Sequence, residues 1–333
     1  MTGESLGLSY VLPLRWTEDR GLAELATYVR WLADRAEVLV VDGSPPGRFA
    51  AHAAAWGGEV THLAPDPDLR SLMGKVNGVV TGLRHARHER VVVADDDVRY
   101  DHDALSRVAS LLAHADLVRP QNYFDPLPWH ACWDTGRTLL NRAAGADYPG
   151  TLGLRRSLVL RVDGYEGDVM FENLELMRTV EALGGREEVP LDLYVRRIPP
   201  GTGAFLSQRV RQAYDDFAQT ERQALFLGLL PALGALTRRY GVVVPALAAG
   251  ACTALAECGR RRGGGREVFS ATASLLAPVW TLERAVCSWL ALGSRLARGG
   301  IAYGDTVIPR AATPRRALRR RLARAAVARR SVP

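Results

Sequence analysis

The chain has 333 residues, of which 47% are apolar, and a formal net charge of +7. This length suits one large α/β domain with a smaller appendage. The four cysteines, Cys132, Cys252, Cys258 and Cys287, are too scattered for a disulfide framework or a CxxC metal site, so a reduced, cytosol-facing compartment is expected. No basic segment followed by an apolar one begins the sequence, and we expect no signal peptide.

Short apolar runs and helical patterns alternate in the first third of the chain. The predicted strands are residues 8–14, 38–41, 60–63 and 91–94. The predicted helices are residues 24–35, 49–56, 72–86 and 103–113. This alternation predicts a mostly parallel sheet that helices cover on both faces. Right-handed crossovers then place the residues that follow the strands along one edge of the sheet.

The fourth predicted strand ends in three carboxylates, Asp95, Asp96 and Asp97. Ligands of open α/β sheets bind at the carboxyl ends of the strands. Asp95 and Asp97 can both offer hard oxygen ligands to Mg²⁺ or Mn²⁺, and such an ion would carry a diphosphate. The alternative interpretation is a solvated turn that caps the next helix.

The second half of the chain has a different character. Residues 117–161 are irregular and rich in aromatic side chains, which either line a substrate groove or pack in the core, and residues 172–183 return to helical spacing. Three apolar stretches flanked by arginine then follow, at residues 224–236, 241–256 and 268–292. The first two are shorter than a typical membrane span. The pattern favours membrane-associated helices over the alternative, a soluble helical subdomain.

Several common catalytic motifs are absent from the sequence. It contains no GxGxxG, GxxxxGK[ST], HExxH or GxSxG pattern. Dinucleotide redox chemistry, P-loop hydrolysis and α/β-hydrolase chemistry therefore have little support.

Five short motifs occur in a characteristic order. They are Val-Val-Asp-Gly-Ser at 40–44, Gly-Lys-Val-Asn-Gly at 74–78, Ala-Asp-Asp-Asp at 94–97, Glu-Asn-Leu-Glu-Leu at 172–176 and Gln-Arg-Val-Arg at 208–211. In this order they resemble glycosyltransferase family 2, whose GT-A fold is a single nucleotide-binding α/β domain. The apolar C-terminal part is similar to the membrane-attached, ceramide-glucosyltransferase-like branch. The resemblance covers residues 8–215 well and the remainder loosely.

The resemblance implies roles for individual residues. The residues implied to bind the donor nucleotide and its phosphates are Asp42, Lys75, Asn77, Asp95, Gln208 and Arg211. Asp95 and Asp97 resemble the DxD pair that holds the divalent cation. The chain departs from the family's QxxRW motif because Gln212 replaces the tryptophan.

The general base is less clear, because Asn173 stands where the family usually has a second carboxylate. An amide cannot accept the proton of an acceptor hydroxyl. Glu172 is the first candidate for the base, followed by Asp168 and Glu175. The alternative is a catalytically impaired sugar-nucleotide-binding or scaffold protein at the membrane.

Taken together, the sequence predicts an α/β protein with a GT-A domain, a Rossmann-like mixed and mostly parallel sheet with helices on both faces. This domain covers residues 1–220, a membrane-associated helical region covers 221–297, and an arginine-rich tail covers 298–333.

The expected activity is hexosyltransferase-like: inverting, metal-dependent sugar transfer from a nucleotide-sugar donor to an acceptor hydroxyl. The acceptor would be a lipid or lipid-linked molecule at the cytoplasmic face of the cell membrane. We expect no nucleic-acid partner, because the tail lacks interleaved aromatic residues. The sequence does not predict the oligomeric state.

Overall fold

The computed structural model of the protein describes residues 6–18, 21–58 and 60–330. The strands in this part of the chain are, in order, β1 (Leu8–Leu14), β2 (Glu37–Asp42), β3 (Thr61–Leu63), β4 (Arg90–Ala94), β5 (Val98–Arg99), β6 (Leu117–Val118), β7 (Gln121–Phe124), β8 (Thr151–Arg155), β9 (Glu187–Glu188), β10 (Tyr194–Arg197), β11 (Ile301–Tyr303) and β12 (Thr306–Ile308).

The helices are α1 (Leu22–Ala33), α2 (Pro46–Trp56), α3 (Gly74–His85), α4 (His102–Leu111), α5 (Trp129–Ala144), α6 (Arg156–Leu160), α7 (Glu172–Ala182), α8 (Thr202–Tyr214), α9 (Thr220–Tyr240), α10 (Val243–Arg261), α11 (Ala271–Arg298) and α12 (Arg315–Arg330). The predicted strands and helices of the first third are all present, with ends that differ by a few residues. The predicted fold class is confirmed.

The main sheet, within the described residues, has seven strands in the order β3-β2-β1-β4-β8-β6-β9. The first four strands run parallel, and β8 is antiparallel to β4 and β6. In the central strand β1, Tyr10 and Leu12 pack with α1 on one face, and Val11 packs with α3 on the other. Both faces are therefore apolar, which is why the strands appear in the sequence as continuous apolar runs.

Helix α3 approaches β1 unusually closely. Gly82 lies directly over the side chain of Val11, and a Cβ atom at Gly82 would overlap both Val11 methyl groups. Glycine normally weakens a helix, but here its missing side chain lets the helix lie close to the sheet. The close packing holds the first turn of α3 at the carboxyl edge of the parallel strands.

A smaller sheet forms beside this edge. Strand β10 pairs antiparallel with β5 and parallel with β7, in the order β5-β10-β7. This sheet and the 16-residue helix α5 occupy much of the region from 117 to 200. The prediction of an irregular segment over 117–161 was therefore incomplete. The strands of this sheet have two to four residues, too few to show a periodicity in the sequence.

The C-terminal third packs back onto the α/β domain. Helix α11 lies against α5 and α8, while the backbone N–H of Phe171 donates to the carbonyl of Ala311 at 2.7 Å. Residues 298–333 are thus more than a tail, because they include the hairpin β11–β12 and helix α12, which packs on α7. The division of the chain at residues 220 and 297 stays a prediction.

One helix of the described residues, α11, is long and apolar enough to cross a membrane by length and composition. Such a helix is weak evidence for a span, since core helices of other proteins meet the same criterion.

Candidate active site

One cavity, called the main cavity below, lies where the parallel strands end. It has a volume of about 330 Å³. Its lining comprises the ends of β1 and β2, the start of α3, the first two carboxylates after β4, and one residue of the C-terminal hairpin: Pro13, Leu14, Arg15, Val41, Gly43, Pro65, Gly74, Lys75, Asn77, Gly78, Asp95, Asp96 and Tyr303. This is the position at which open α/β sheets bind ligands.

Asp95 and Asp97 leave β4 on the side of the smaller sheet and share one guanidinium. Arg197, at the end of β10, contacts Asp97 at 2.8 Å and Asp95 at 3.3 Å. Burial raises the pKa of Asp97, and the neighbouring Asp95 adds to the rise, while Arg197 opposes it. Two of the three adjacent acids predicted at this edge are therefore paired with a cation from β10, while Asp96 accepts a hydrogen bond from Trp16 Nε1.

Lys75 is the second cation at the edge, in the first turn of α3. Its Nζ atom lies 2.5 Å from Asp95 Oδ1 and 2.5 Å from Glu172 Oε1. Burial disfavours the charged amine, but the two carboxylates outweigh burial and raise the pKa of Lys75. Lys75 thus remains an ammonium ion that joins the start of α3, the end of β4 and the start of α7.

Glu172, the first residue of α7, is buried in the wall of this cluster. Burial raises the pKa of Glu172, with Asp95 adding to the rise and Lys75 opposing it. Its Oε2 atom is buried and has no hydrogen-bond partner among the described residues. A carboxylate with a raised pKa and a free oxygen has the properties of a general base.

The other two candidates for the base have backbone partners elsewhere. Glu175 is fully buried, and its Oε2 atom accepts a hydrogen bond from the N–H of Thr313 at 2.6 Å. Asp168 accepts from the N–H of Leu72 at 2.9 Å. None of the three candidates lines the main cavity itself, but Glu172 contacts the lining residue Lys75 at 2.5 Å, so the geometry favours Glu172.

Asn77 and Arg211 lie at the cavity or beside it. Asn77 lines the cavity, and its side-chain amide exchanges two hydrogen bonds with the backbone of Ser71. Arg211 on α8 stacks over the ring of the cavity residue Tyr303, with its Cζ 5.5 Å from the ring centroid. Gln208 is half-buried one turn earlier on α8. The structure therefore brings α8 to the cavity through the contact of Arg211 with Tyr303, while neither Gln208 nor Arg211 lines the cavity itself.

Asp42 is placed differently from its predicted role. Its carboxylate is fully buried, 2.6 Å from His52 Nδ1 and 3.1 Å from His62 Nε2, and it accepts from the N–H of Ser44 at 2.8 Å. Burial alone would raise its pKa, but these hydrogen bonds hold the pKa of Asp42 well below the usual range. Asp42 is not among the residues that line the cavity, so a contact with the nucleotide stays a prediction and a structural role is what the geometry supports.

Sequence reasoning missed Arg197 and Tyr303, which come from β10 and the C-terminal hairpin. It also missed Gly150, where a Cβ atom would lie 2.7 Å from Asp95 Oδ2 and 3.1 Å from Arg197 Cζ. Only glycine leaves room for this ion pair in its present position. The one signal in the sequence was the cluster of adjacent aspartates at 95–97. Their carboxylates repel one another, which indicates that a cation lies close to them in the fold.

Comparison with solved structures identifies the architecture. A mannosyltransferase from Pyrobaculum calidifontis, solved with GDP-mannose and Mn²⁺, is 21% identical, with 84% of this chain and 88% of that chain covered and a TM-score of 0.51. The chain has the GT-A fold. At this level of identity the likeness concerns the GT-A fold alone. The ceramide-glucosyltransferase-like branch and the family 2 assignment stay predictions.

Two further matches have TM-scores below 0.5, too low to support shared topology. One is glucosyl-3-phosphoglycerate synthase from Mycobacterium tuberculosis with Mn²⁺, UDP and phosphoglyceric acid, at 18% identity, 63% and 77% coverage and a TM-score of 0.41. The other is mannosyl-3-phosphoglycerate synthase from Rubrobacter xylanophilus, at 16% identity, 62% and 74% coverage and a TM-score of 0.39. No protein-family model matches the chain, and no curated protein matches it significantly.

We expect Asp42→Asn to lower the free energy of unfolding of the GT-A domain by about 1–3 kcal/mol at pH 7. Because folding lowers the pKa of Asp42, its charge stabilises the protein above the usual aspartate range, and this contribution is lost as the pH falls through the folded-state value. Urea denaturation at pH 7 and at pH 3 measures the effect, and the difference between the two proteins should shrink at pH 3.

Asp34→Asn is the control, because Asp34 is exposed and its nearest arginine is 3.7 Å away. We expect it to change stability by less than about 0.5 kcal/mol. If Asp42→Asn leaves stability unchanged but lowers nucleotide affinity, Asp42 binds the nucleotide and does not have the structural role.

Proposed function

We propose that the protein is an inverting glycosyltransferase that moves a hexose from a nucleotide-sugar donor to an acceptor hydroxyl. The observation that carries this proposal is the Lys75 ammonium held between Asp95 and Glu172 in the wall of the cavity at the edge of a GT-A sheet. A cavity of about 330 Å³ is within the range of small-molecule sites.

The chain offers positive charge where a donor diphosphate would bind. Lys75 and the exposed Arg15 both line the cavity, together with the first turn of α3. The N-terminus of a helix presents backbone N–H groups and the positive end of the helix dipole, which suits phosphate groups. These groups would stabilise the negative charge that develops on the departing nucleoside diphosphate.

Asp95 and Asp97 fit a divalent cation only if the substrate completes its ligands. The described residues contain no group of three or more His, Cys, Asp or Glu side chains able to hold a metal. Mg²⁺ and Mn²⁺ sites commonly use one or two carboxylates together with substrate phosphates, which is the donor set available here. When bound, the ion would supply electrophilic stabilisation of the leaving group.

Glu172 is the residue that we assign to proton removal. The acceptor oxygen attacks the anomeric carbon, the bond from that carbon to the diphosphate oxygen breaks, and the hydroxyl proton passes to Glu172. Lys75 holds Oε1 of Glu172 and leaves Oε2 without a hydrogen-bond partner among the described residues. A single displacement of this kind inverts the configuration at the anomeric carbon.

We expect Glu172→Gln to lower kcat by at least about 100-fold, because the amide cannot accept a proton. Donor affinity should change little. Since burial raises the pKa of Glu172, activity of the unmodified protein should rise with pH through a value above the usual glutamate range, and kcat/KM measured across pH locates that rise.

Glu175→Gln is the matched control, since it removes the same charge three residues further along α7. It should affect stability more than kcat, because Glu175 binds the backbone of Thr313. A large loss of kcat in Glu175→Gln with normal turnover in Glu172→Gln would transfer the role of base to Glu175.

The proposed activity is tested by calorimetric titration of GDP- and UDP-sugars with and without Mn²⁺, followed by a hydrolysis assay. We expect at least one donor to bind and to be hydrolysed. Asp97→Asn should abolish the part of this hydrolysis that depends on Mn²⁺. Binding without turnover under any condition would favour the scaffold alternative, and no binding of any nucleotide sugar would reject both.

We also propose that α9, α10 and α11 hold the GT-A domain against a membrane surface. These helices carry a dense set of exposed apolar side chains, among them Leu225 on α9, Leu247 on α10 and Leu275 on α11. Arginines at the ends of α9 and α10 flank the apolar stretches. An apolar surface bordered by arginine matches the interface of a bilayer, where it would reach a lipid or lipid-linked acceptor on the cytoplasmic side.

We expect the double variant Leu247→Glu and Leu275→Glu to bind lipid vesicles about tenfold more weakly, because each leucine loses its transfer into apolar surroundings. Co-sedimentation with phosphatidylcholine vesicles measures this. The control is Leu127→Glu, an exposed leucine outside α9–α11, which should bind as the unmodified protein does. Equal binding by all three proteins would contradict membrane attachment through these helices.

A further inference from the structure

A second cavity of about 140 Å³ lies beside the proposed active site. Four arginines line it: Arg137 from α5, Arg197 from β10, Arg222 from α9 and Arg284 from α11. Guanidinium groups from separate parts of the chain thus converge on a space too small for a whole substrate but suited to one small group.

Two residues that line the second cavity connect it to the cluster of Lys75, Asp95 and Glu172. Arg197 lines the second cavity and contacts Asp95, which lines the main one. Phe171 also lines the second cavity, and it directly precedes Glu172 in the chain. Glu172 also adds to the raised pKa of Asp215, which lines the second cavity, so a molecule bound there would lie near the proposed base.

The charges around the second cavity favour an anion. Asp216 is buried and is shared by two arginines, with Arg222 at 2.8 Å and Arg284 at 3.0 Å. Burial raises the pKa of the lining residue Asp215 to about 8, opposed by Arg284 and increased by Asp216, so Asp215 offsets little positive charge at pH 7. Arg137 also pairs with Asp147 at 2.7 Å and with Asp134 at 3.3 Å, but these carboxylates lie outside the lining of the second cavity. Since each guanidinium has five N–H donors, these pairings leave donors available.

We propose that the second cavity binds a phosphate group of the acceptor, with Arg222 and Arg137 as the principal contacts. A phosphate has several acceptor oxygens and accepts paired hydrogen bonds from guanidinium groups, which suits arginines arriving from different helices. The proposal rests on the proposed glycosyl transfer, for which it defines the acceptor class: a hydroxyl compound that also carries a phosphate.

The test is calorimetric titration of the full chain with inorganic phosphate. We expect Arg222→Gln to weaken phosphate binding about tenfold or more, the loss typical of a hydrogen bond to a charged group. Gln219→Glu is the second variant: it adds a negative charge to the cavity without removing an arginine, and its carboxylate can still accept from the hydroxyl of Tyr148. It should weaken phosphate binding to a similar extent.

Two controls separate this site from the donor site. Arg107→Gln removes an exposed arginine that pairs with Asp192 on the surface, and it should leave phosphate binding unchanged. Lys75→Gln alters the main cavity and should leave phosphate binding within about twofold of the unmodified protein while it weakens nucleotide-sugar binding. Phosphate binding that is lost in Lys75→Gln but kept in Arg222→Gln and Gln219→Glu would overturn the proposal, as would no measurable binding.

The same variants distinguish the possible sources of the phosphate. Vesicles of phosphatidylcholine with phosphatidic acid should bind the unmodified protein better than Gln219→Glu if a lipid presents the phosphate. If Gln219→Glu binds these vesicles as well as the unmodified protein does but loses binding of inorganic phosphate, the phosphate belongs to a small soluble acceptor. If phosphate binds as expected but no nucleotide sugar binds, the anion site stands while the proposed transfer, and with it the acceptor role, is rejected.

Discussion

The structure depends on a buried ammonium that three distant parts of the chain share. Lys75 begins α3, Asp95 follows β4 and Glu172 begins α7, and both carboxylates lie 2.5 Å from the amine. A buried charge without its partner is strongly destabilising, so loss of either carboxylate would disturb the packing of all three elements. Through Lys75 the same contacts connect the candidate base Glu172 to the main cavity, so the packing and the proposed chemistry rest on one interaction.

Arg197 has the corresponding role on the other side of Asp95. It arrives from a short strand of the smaller sheet, and Gly150 leaves the space in which it pairs with the carboxylate. The smaller sheet is thus more than an addition to the GT-A core, because it supplies the cation that pairs with two of the three adjacent acids, Asp95 and Asp97.

The C-terminal helices connect the site to the outside of the molecule. Helix α11 has exposed leucines on its outer side, while on its inner side Glu283 pairs with Arg209 at 2.5 Å and Arg284 with Asp216 at 3.0 Å. An isolated membrane span would not carry two buried ion pairs to a neighbouring domain. The helix is therefore anchored to the rest of the protein through these ion pairs, and its attachment to a membrane stays a proposal.

The sequence by itself determined the alternating strands and helices of the first third, since strands buried on both faces require continuous apolar runs. It also located the carboxylates after β4, together with Lys75 and Glu172. It could not show the smaller sheet, whose strands are too short for a periodicity, nor which carboxylate near α7 meets Lys75. The histidines that enclose Asp42, the arginine that joins Asp95 to Asp97 and the arginines of the second cavity come from separate elements. Only tertiary packing brings such side chains together. Charges pair through space, so the paired residues have no characteristic separation along the sequence that could reveal them.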